Sequence, residues 1–293
     1  MKIANKDWLF ELCCKLLRLA PPGAPGKARL ARFVLGSNLR RRDVQIPDRF
    51  GSKFLVPSLL EPIGFHLLTD GVYEPDVAQY ILNYLKPGSI FVDVGANIGV
   101  FTVPAAKRVQ EAGRVVAVES SPMICSYLRQ NVAENYLNNV SIKECAAYDR
   151  EEHNLPFYEA PIDHFGMGAL APEFDSQPVN VPACMLDRIL ESEQIQFIDL
   201  LKVDTEGFEV TVFRGAEHLL TGARSPWILF EFADWAEARL SAGKVGDAQR
   251  ILHDWGYDIW RFSDFIKGAA PLNEILLQGF EMLIAHRKSA YGQ

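Results

Sequence analysis

The chain has 293 residues, 48% of them hydrophobic and 23% charged, with a formal net charge of −7. That is the composition of a soluble globular protein, and the length buries roughly three-quarters of its extended surface, enough for one large domain with an appendage. Five cysteines, at 13, 14, 125, 145 and 184, make no CxxC pair and no Cys/His ligand spacing, so the expectation is reduced thiols in the cytoplasm.

Charge divides unevenly along the chain. Residues 1–49 hold 11 Lys+Arg against 4 Asp+Glu, and the remainder holds 19 against 33. A basic arm on an acidic body suits an anionic membrane surface, a phosphorylated substrate or the acidic face of a second copy in a homodimer; it equally suits docking on its own domain. Within it, residues 6–20 place apolar side chains at 8, 9, 12, 13, 16, 17 and 19, an amphipathic helix too interrupted for a secretory signal core and too short for a membrane span. Trp8, Leu9, Leu12 and Leu16 would make any peripheral membrane contact, with packing on the body or a partner helix as the plainer use. PPGAPG at 21–26 is a linker, and the basic stretch after it has a helical period. Residues 1–70 thus form a basic helical arm and cap, and removing residues 1–26 is expected to leave the core folded. SKFLVPS and GFHLLTD, at 52–58 and 64–70, suggest short strands or cap segments, with His66 an interior histidine.

A helix is expected over 71–85, with Pro75 in its first turn. Ile90–Val94 is a short apolar run of the kind buried on both faces of a parallel sheet, and the turn Gly95-Ala96-Asn97-Ile98-Gly99 follows. The next helix runs to about Gln110; Pro104 requires it to begin near Thr102 or to kink. Gly113 stops it, and a second apolar strand delivers Glu119 at its carboxyl end, 26 positions after Asp93. In an open parallel sheet small ligands bind beyond the carboxyl ends of the strands, where this unit sets two acids and a bare backbone. Glu119, with Ser120 beside it, is placed to accept the ribose hydroxyls of a nucleoside. A dinucleotide fingerprint would need glycine where Asn97 stands. The pattern D-x-G-x-N-x-G instead suits a ligand with an ammonium and no phosphate, which describes S-adenosylmethionine; an ordinary strand-to-helix turn is the alternative.

Ser120 or Ser121 caps a further helix, and 140–145 is the third strand, with Cys145 and Ala146 at its end bordering the adenine. Residues 151–183 read as a hairpin insertion whose long loop holds Asp163, His164 and Phe165. The fourth strand, 197–203, runs into Lys202, Asp204, Thr205, Glu206 and Gly207 and a helix to Leu220. Residues 227–231, 257–262 and 280–286 complete seven strands. The fold class is therefore α/β: a doubly wound, Rossmann-like seven-stranded sheet with an antiparallel last strand.

Four blocks in order, GVYEPDVAQYILNYLKPG, FVDVGANIG, NYLNNVSIKECAAYD and IDLLKVDTEGFEVTVFRGAEHLL, resemble the FkbM family of S-adenosylmethionine-dependent O-methyltransferases across residues 71–287. The resemblance implies a class I methyltransferase domain over 71–293 and places Tyr73 and Glu74 near the methionine end of the cofactor. It also puts Lys202, Asp204 and Glu206 in the family's most characteristic block, and it implies an acceptor hydroxyl on a sugar, glycan precursor or polyketide-like metabolite. FGMGAL at 165–170 departs from the small serine-containing segment usual there, which bears on the acceptor rather than on the reaction.

Methyl transfer to a hydroxyl is an in-line displacement that needs alignment and a base. Asp204 and Glu206 fall where the base belongs, unless they only cap the following helix; Lys202 is placed to neutralise them or the acceptor, and His164 is the base candidate outside the block. Catechol-type enzymes use a divalent metal at the ends of the fourth and fifth strands, where Asp204 and Glu231 stand; Phe232 replaces their amide ligand, so a metal is not the expectation, and divalent-metal-assisted O-methylation of a small molecule stands as an alternative. Trp227, Phe230, Phe232 and Trp235 are core residues or a stacking face for the acceptor. A nucleic-acid acceptor is not expected: VDTEG stands where base-amine enzymes carry Asn/Asp-Pro-Pro-aromatic, and the domain is acidic. A non-catalytic cofactor-binding module is the remaining alternative.

Overall fold

The structure, a computed structural model, describes residues 7–172, 174, 176–239 and 244–287. Two strands, β1 (Arg42–Pro47) and β2 (Lys53–Ser58), pair antiparallel ahead of the main sheet. The main sheet begins with β3 (Ile90–Val94), β4 (Arg114–Glu119) and β5 (Val140–Glu144). The chain then leaves for a small sheet of β6 (Ala146–Ala147), β7 (Glu152–Phe157) and β8 (Val179–Cys184), and returns through β9 (Leu200–Val203), β10 (Trp227–Ala233), β11 (Tyr257–Arg261) and β12 (Phe280–Arg287).

The seven strands lie in the order β11-β12-β10-β9-β3-β4-β5, and β12 runs antiparallel to both neighbours. Strand order reverses between β3 and β9. The first half winds outward through β4 and β5, the second through β10, so a crevice opens at the carboxyl ends of β3 and β9. Alternation along each strand sends side chains to two separate cores: Phe91, Val115, Ala117 and Leu200 to one, Val92, Val94, Val116 and Leu201 to the other. Sheets covered on both faces need such continuous apolar runs.

The helices follow their local signals. Pro75 stands first in the helix Pro75–Tyr84, and Ser121 caps Pro122–Glu134 by accepting from the Ile124 amide at 3.1 Å. Pro104 is the third residue of Thr102–Val109, within the first turn, so no kink is needed. GFHLLTD differs from expectation: it lies in the helix Pro62–Asp70, started by Glu61 accepting from the Ile63 amide at 2.6 Å and by Pro62. The helix expected after Gly207, to Leu220, is two, Glu209–Arg214 and Glu217–Thr221. Gly215 between them packs so closely that a Cβ there would sit 2.0 Å from the Tyr148 carbonyl oxygen.

The arm is docked. Phe10, Cys14 and Leu17 of the helix Asp7–Leu17 are buried in the same core as Phe91 and Ile63. Arg18 donates to the carbonyls of Leu67 and Leu68 at 2.6 and 3.1 Å, and Lys27 pairs with Asp70 at 2.5 Å with both side chains buried. Burying a large apolar side chain contributes about 1.5–3 kcal/mol, so removing residues 1–26 takes away several kcal/mol of stabilising contact from the core that is expected to stay folded without them. Trp8, Leu12, Leu16 and Leu19 stay exposed on the outer face. Among the described residues no helix is long and apolar enough to cross a membrane.

Candidate active site

The crevice is walled by the turn after β3, the end of β4, the loop after β9 and the hairpin loop. Gly95 (φ 74°) has no room for a side chain: a Cβ would lie 1.8 Å from the Asp204 carbonyl oxygen. The Asp204 amide in turn donates to Val94 at 3.1 Å, so the two loops lean on each other backbone to backbone. Asn97, also left-handed at φ 52°, turns its side chain back to accept from the Ile98 amide. Its own amide donates to Glu119 at 2.8 Å.

Glu119 is 8% exposed and accepts two backbone bonds, from Asn97 and Ser121, both 2.8 Å. Burial pushes its pKa up, against those two donors. Each carboxylate oxygen keeps a second acceptor direction, and the side chain lines the crevice beside Ser120, Ala146 and Ala147. That is the arrangement for gripping vicinal hydroxyls next to a flat ring.

Across the crevice stands a group of acids around one buried cation. Lys202, 2% exposed, lies 3.1 Å from Asp204 and 3.6 Å from Asp93, and donates to the Gly95 carbonyl at 3.1 Å. Burial alone would lower its pKa; Asp204 and Asp93 outweigh it and hold the ammonium charged. Oxygens of Asp204, Glu206 and Glu231 lie within 4.8 Å of one another. Glu231 is buried at the end of β10, its Oε2 has no hydrogen-bond partner, and burial followed by Asp204 and Glu206 pushes its pKa well up. Glu74 has the same character, an unpartnered buried Oε2 and a pKa raised to about 7 by burial and by Asp204.

Neither Asp204 nor Thr205 caps the helix that follows. Buried Glu209 reaches back instead, accepting from the Thr205 amide and hydroxyl at 2.8 and 3.0 Å. Glu206 (φ 54°) and Gly207 (φ 98°) are both left-handed, and a Cβ on Gly207 would meet the Ala236 backbone at 2.5 Å. This tight loop holds the Asp204 and Glu206 carboxylates at the crevice.

Of the residues singled out from sequence, Tyr73, Gly95, Ala96, Asn97, Glu119, Ser120, Ala146, Lys202, Asp204 and Glu206 line the crevice. Five take other places. Glu74 is outside the lining, its Oε2 buried without a partner. Asp93 is wholly buried and accepts from the Thr102 hydroxyl at 2.6 Å, orienting Lys202 from below. Gly99 faces Leu128, and Cys145 packs into the core with Val118. His164 stacks on Phe174 at 5.7 Å while its neighbour Asp163 is tied to Arg42 and Ser58, so its ring is held away from the acids. Trp235 lines the crevice, whereas Trp227 stacks on His286 and Phe230 and Phe232 are core. Sequence reasoning passed over Glu61, a buried helix cap that also lines the crevice with a pKa raised to about 7 by burial. Its signal was the Glu-Pro pair after a loop.

Comparison with known proteins fits this geometry. The chain is 26% identical over 224 residues to Methyltransferase sdnD of Sordaria araneosa, covering 67% of this chain and 81% of that one. It is 30% identical over 80 residues to the probable ribosomal RNA small subunit methyltransferase A of Methanosphaera stadtmanae, spanning 25% of this chain and 28% of that relative. An S-adenosylmethionine-dependent O-methyltransferase from Thermotoga maritima superposes with a TM-score of 0.42 at 16% identity, over 86% of this chain and 80% of the other. The model of the methyltransferase FkbM domain matches residues 93–259, more than half the chain and the whole span from the first acid of the turn to β11. The reversed strand order, the glycine turn and the acid at the end of β4 are therefore those of a methyltransferase sheet, and the chain belongs to the FkbM methyltransferase family.

Proposed function

We propose that this chain transfers a methyl group from S-adenosylmethionine to a hydroxyl of a small acceptor, a sugar, glycan precursor or polyketide-like metabolite. The family supplies the cofactor class, and the residues present fit it. Glu119 has acceptor directions left for the ribose hydroxyls, and Ala146 and Ala147 leave a flat apolar wall for the adenine. The lining carboxylates Asp204, Glu206 and Glu231 suit an ammonium, and Glu74, buried outside the lining, adds to their negative field. When bound, the cofactor supplies a methyl group activated by its sulfonium.

The observation that carries the acceptor class is the pairing of carboxylates with an apolar rim. Among the carboxylates that line the crevice, Asp204 and Glu206 are the ones assigned as proton acceptors, and Lys202 pairs with Asp204 at 3.1 Å. Phe157, Phe165, Phe208, Trp235 and Phe280 line the same crevice and suit the face of a ring-shaped or polyketide-like molecule. An acidic lining also repels a phosphate backbone.

The test is methyl transfer from labelled cofactor to a panel of sugars and hydroxylated metabolites, with RNA and amines alongside. The expected outcome is label on a hydroxyl, with Asp204→Asn retaining affinity for S-adenosylhomocysteine while turnover falls by about 10²-fold or more. Label on RNA or on an amine would overturn the acceptor class.

A further inference from the structure

We infer that Asp204, Glu206 and Glu231 form a binding site for one divalent cation of the hard, oxygen-preferring kind, Mg²⁺, Mn²⁺ or Ca²⁺. This rests on the proposed acceptor reading for its purpose but not for its geometry. One oxygen from each carboxylate lies within 4.8 Å of the other two. Two ligands of such a cation, at metal–oxygen distances of about 2.1–2.4 Å, stand at most about 4.2–4.8 Å apart, so the separations of the three oxygens stay inside the upper bound for one coordination sphere, and a small inward adjustment of the side chains completes it.

Acids gathered at a protein surface are common without a metal, and the distinguishing feature here is Glu231. Its side chain is 8% exposed, its Oε2 accepts no hydrogen bond, and it points into the cluster from the end of β10. A carboxylate in that position is costly to keep ionised without a cation beside it. Lys202 is bound to Asp204 and Asp93, so its charge is already committed on the far side of the cluster. Glu209 braces the loop that carries Glu206, accepting from the Thr205 amide at 2.8 Å.

The fifth strand alone did not suggest three ligands, because Phe232 has no donor. The third carboxylate comes from the other side, out of the left-handed turn at Glu206 and Gly207. Three protein oxygens leave the remaining positions of a six-coordinate ion facing the crevice. An acceptor with two neighbouring oxygens, such as a vicinal diol, would fill two of them.

Mn²⁺ titration of the intact protein, followed by electron paramagnetic resonance with and without S-adenosylhomocysteine, tests the site. The expected result is one bound Mn²⁺, displaced by Mg²⁺ and weakened about tenfold or more in Glu206→Gln and in Glu231→Gln as one charged ligand is lost. Affinity for S-adenosylhomocysteine should be retained in both variants. Glu206→Gln changes a partly exposed loop residue, so it reads the site even where Glu231→Gln misfolds. No Mn²⁺ binding at millimolar concentration, or binding indifferent to both substitutions, overturns the proposal. Mutual displacement of Mn²⁺ and S-adenosylhomocysteine also overturns it, since the cluster would then be the seat of the ammonium. A protein that binds Mn²⁺ but no S-adenosylhomocysteine would leave this site standing and remove the cofactor reading.

Discussion

Replacing Glu74 by Gln should make the ligand-free protein more stable and a poorer cofactor binder. The carboxyl is buried with an unpartnered Oε2, and burial, then Asp204, lift its pKa from 4.5 to about 7 in spite of Lys202. In the unfolded chain the group ionises near 4.5; in the folded chain it holds its proton to about 7. The folded state therefore binds more protons inside that window, so the stability from this group is present at low pH, falls as pH rises from 4.5 to 7, and stays lost above. At about 1.4 kcal/mol per pH unit the loss is roughly 3 kcal/mol at most, and partial solvent access brings it to about 1–3 kcal/mol. Glutamine has the same shape and no charge, so at pH 8 the variant should melt a few degrees higher than the parent and show a shallower pH dependence. Differential scanning calorimetry between pH 5 and 8.5, with and without S-adenosylhomocysteine, reads both effects; the ligand should raise the melting temperature of the variant less than that of the parent. A variant no more stable at pH 8, with the parent's pH slope intact, would refute the idea of an uncompensated carboxylate. An unchanged ligand shift would take Glu74 out of the binding site.

Glu119→Ala should lower affinity for S-adenosylhomocysteine by about 10²-fold, since two loop amides lose their acceptor along with the ribose contact; isothermal titration measures it, and unchanged affinity removes Glu119 from the site. Gly95→Ala forces a Cβ to within 1.8 Å of a carbonyl oxygen at φ 74°, and should cost about 2–4 kcal/mol in urea unfolding while moving Asp204; an undisturbed protein would contradict the close contact. Deletion of residues 1–26 should lower the urea midpoint by several kcal/mol equivalent, through the loss of Phe10, Cys14 and Leu17, and a midpoint equal to the parent's would show the arm to be dispensable.

The central β3–β4 unit was fully legible, because an apolar run, a glycine turn and a second run ending in an acid are local patterns that buried parallel strands impose. The hairpin was legible as two strand-like runs around a long loop, the antiparallel last strand was expected as typical of the fold type rather than read from a pattern, and the FkbM resemblance is confirmed by the matching domain. What escaped was decided by direction rather than pattern. Whether a residue beside a glycine turn faces ligand or core depends on φ values that spacing does not report, so Asp93 and Gly99 were read as contacts while both point inward. His164 was plausible by chemistry alone; its ring stacks on Phe174, in a loop whose Asp163 is tied to Arg42 and Ser58 more than a hundred residues upstream. The arm's docking on its own domain was one of several readings, because an amphipathic helix carries the same sequence signal whether its apolar face meets a protein or a lipid. Glu74 was expected as a contact, but its left-handed backbone, φ 42°, which keeps its side chain from capping the following helix, was not foreseeable.

The hairpin has one more implication. Residues 165–170 close the crevice from a three-stranded sheet with its own apolar cluster, Ala146, Leu155, Phe157, Val181 and Ala183, separate from the two cores of the main sheet. The loop that this sheet carries is nevertheless pinned to the main body: Phe165 is buried in the core of Phe91 and Ile63, and a Cβ on Gly166 would sit 2.8 Å from Glu61. A hairpin grafted between relatives would therefore have to bring matching residues at Glu61 and Ile63 with it.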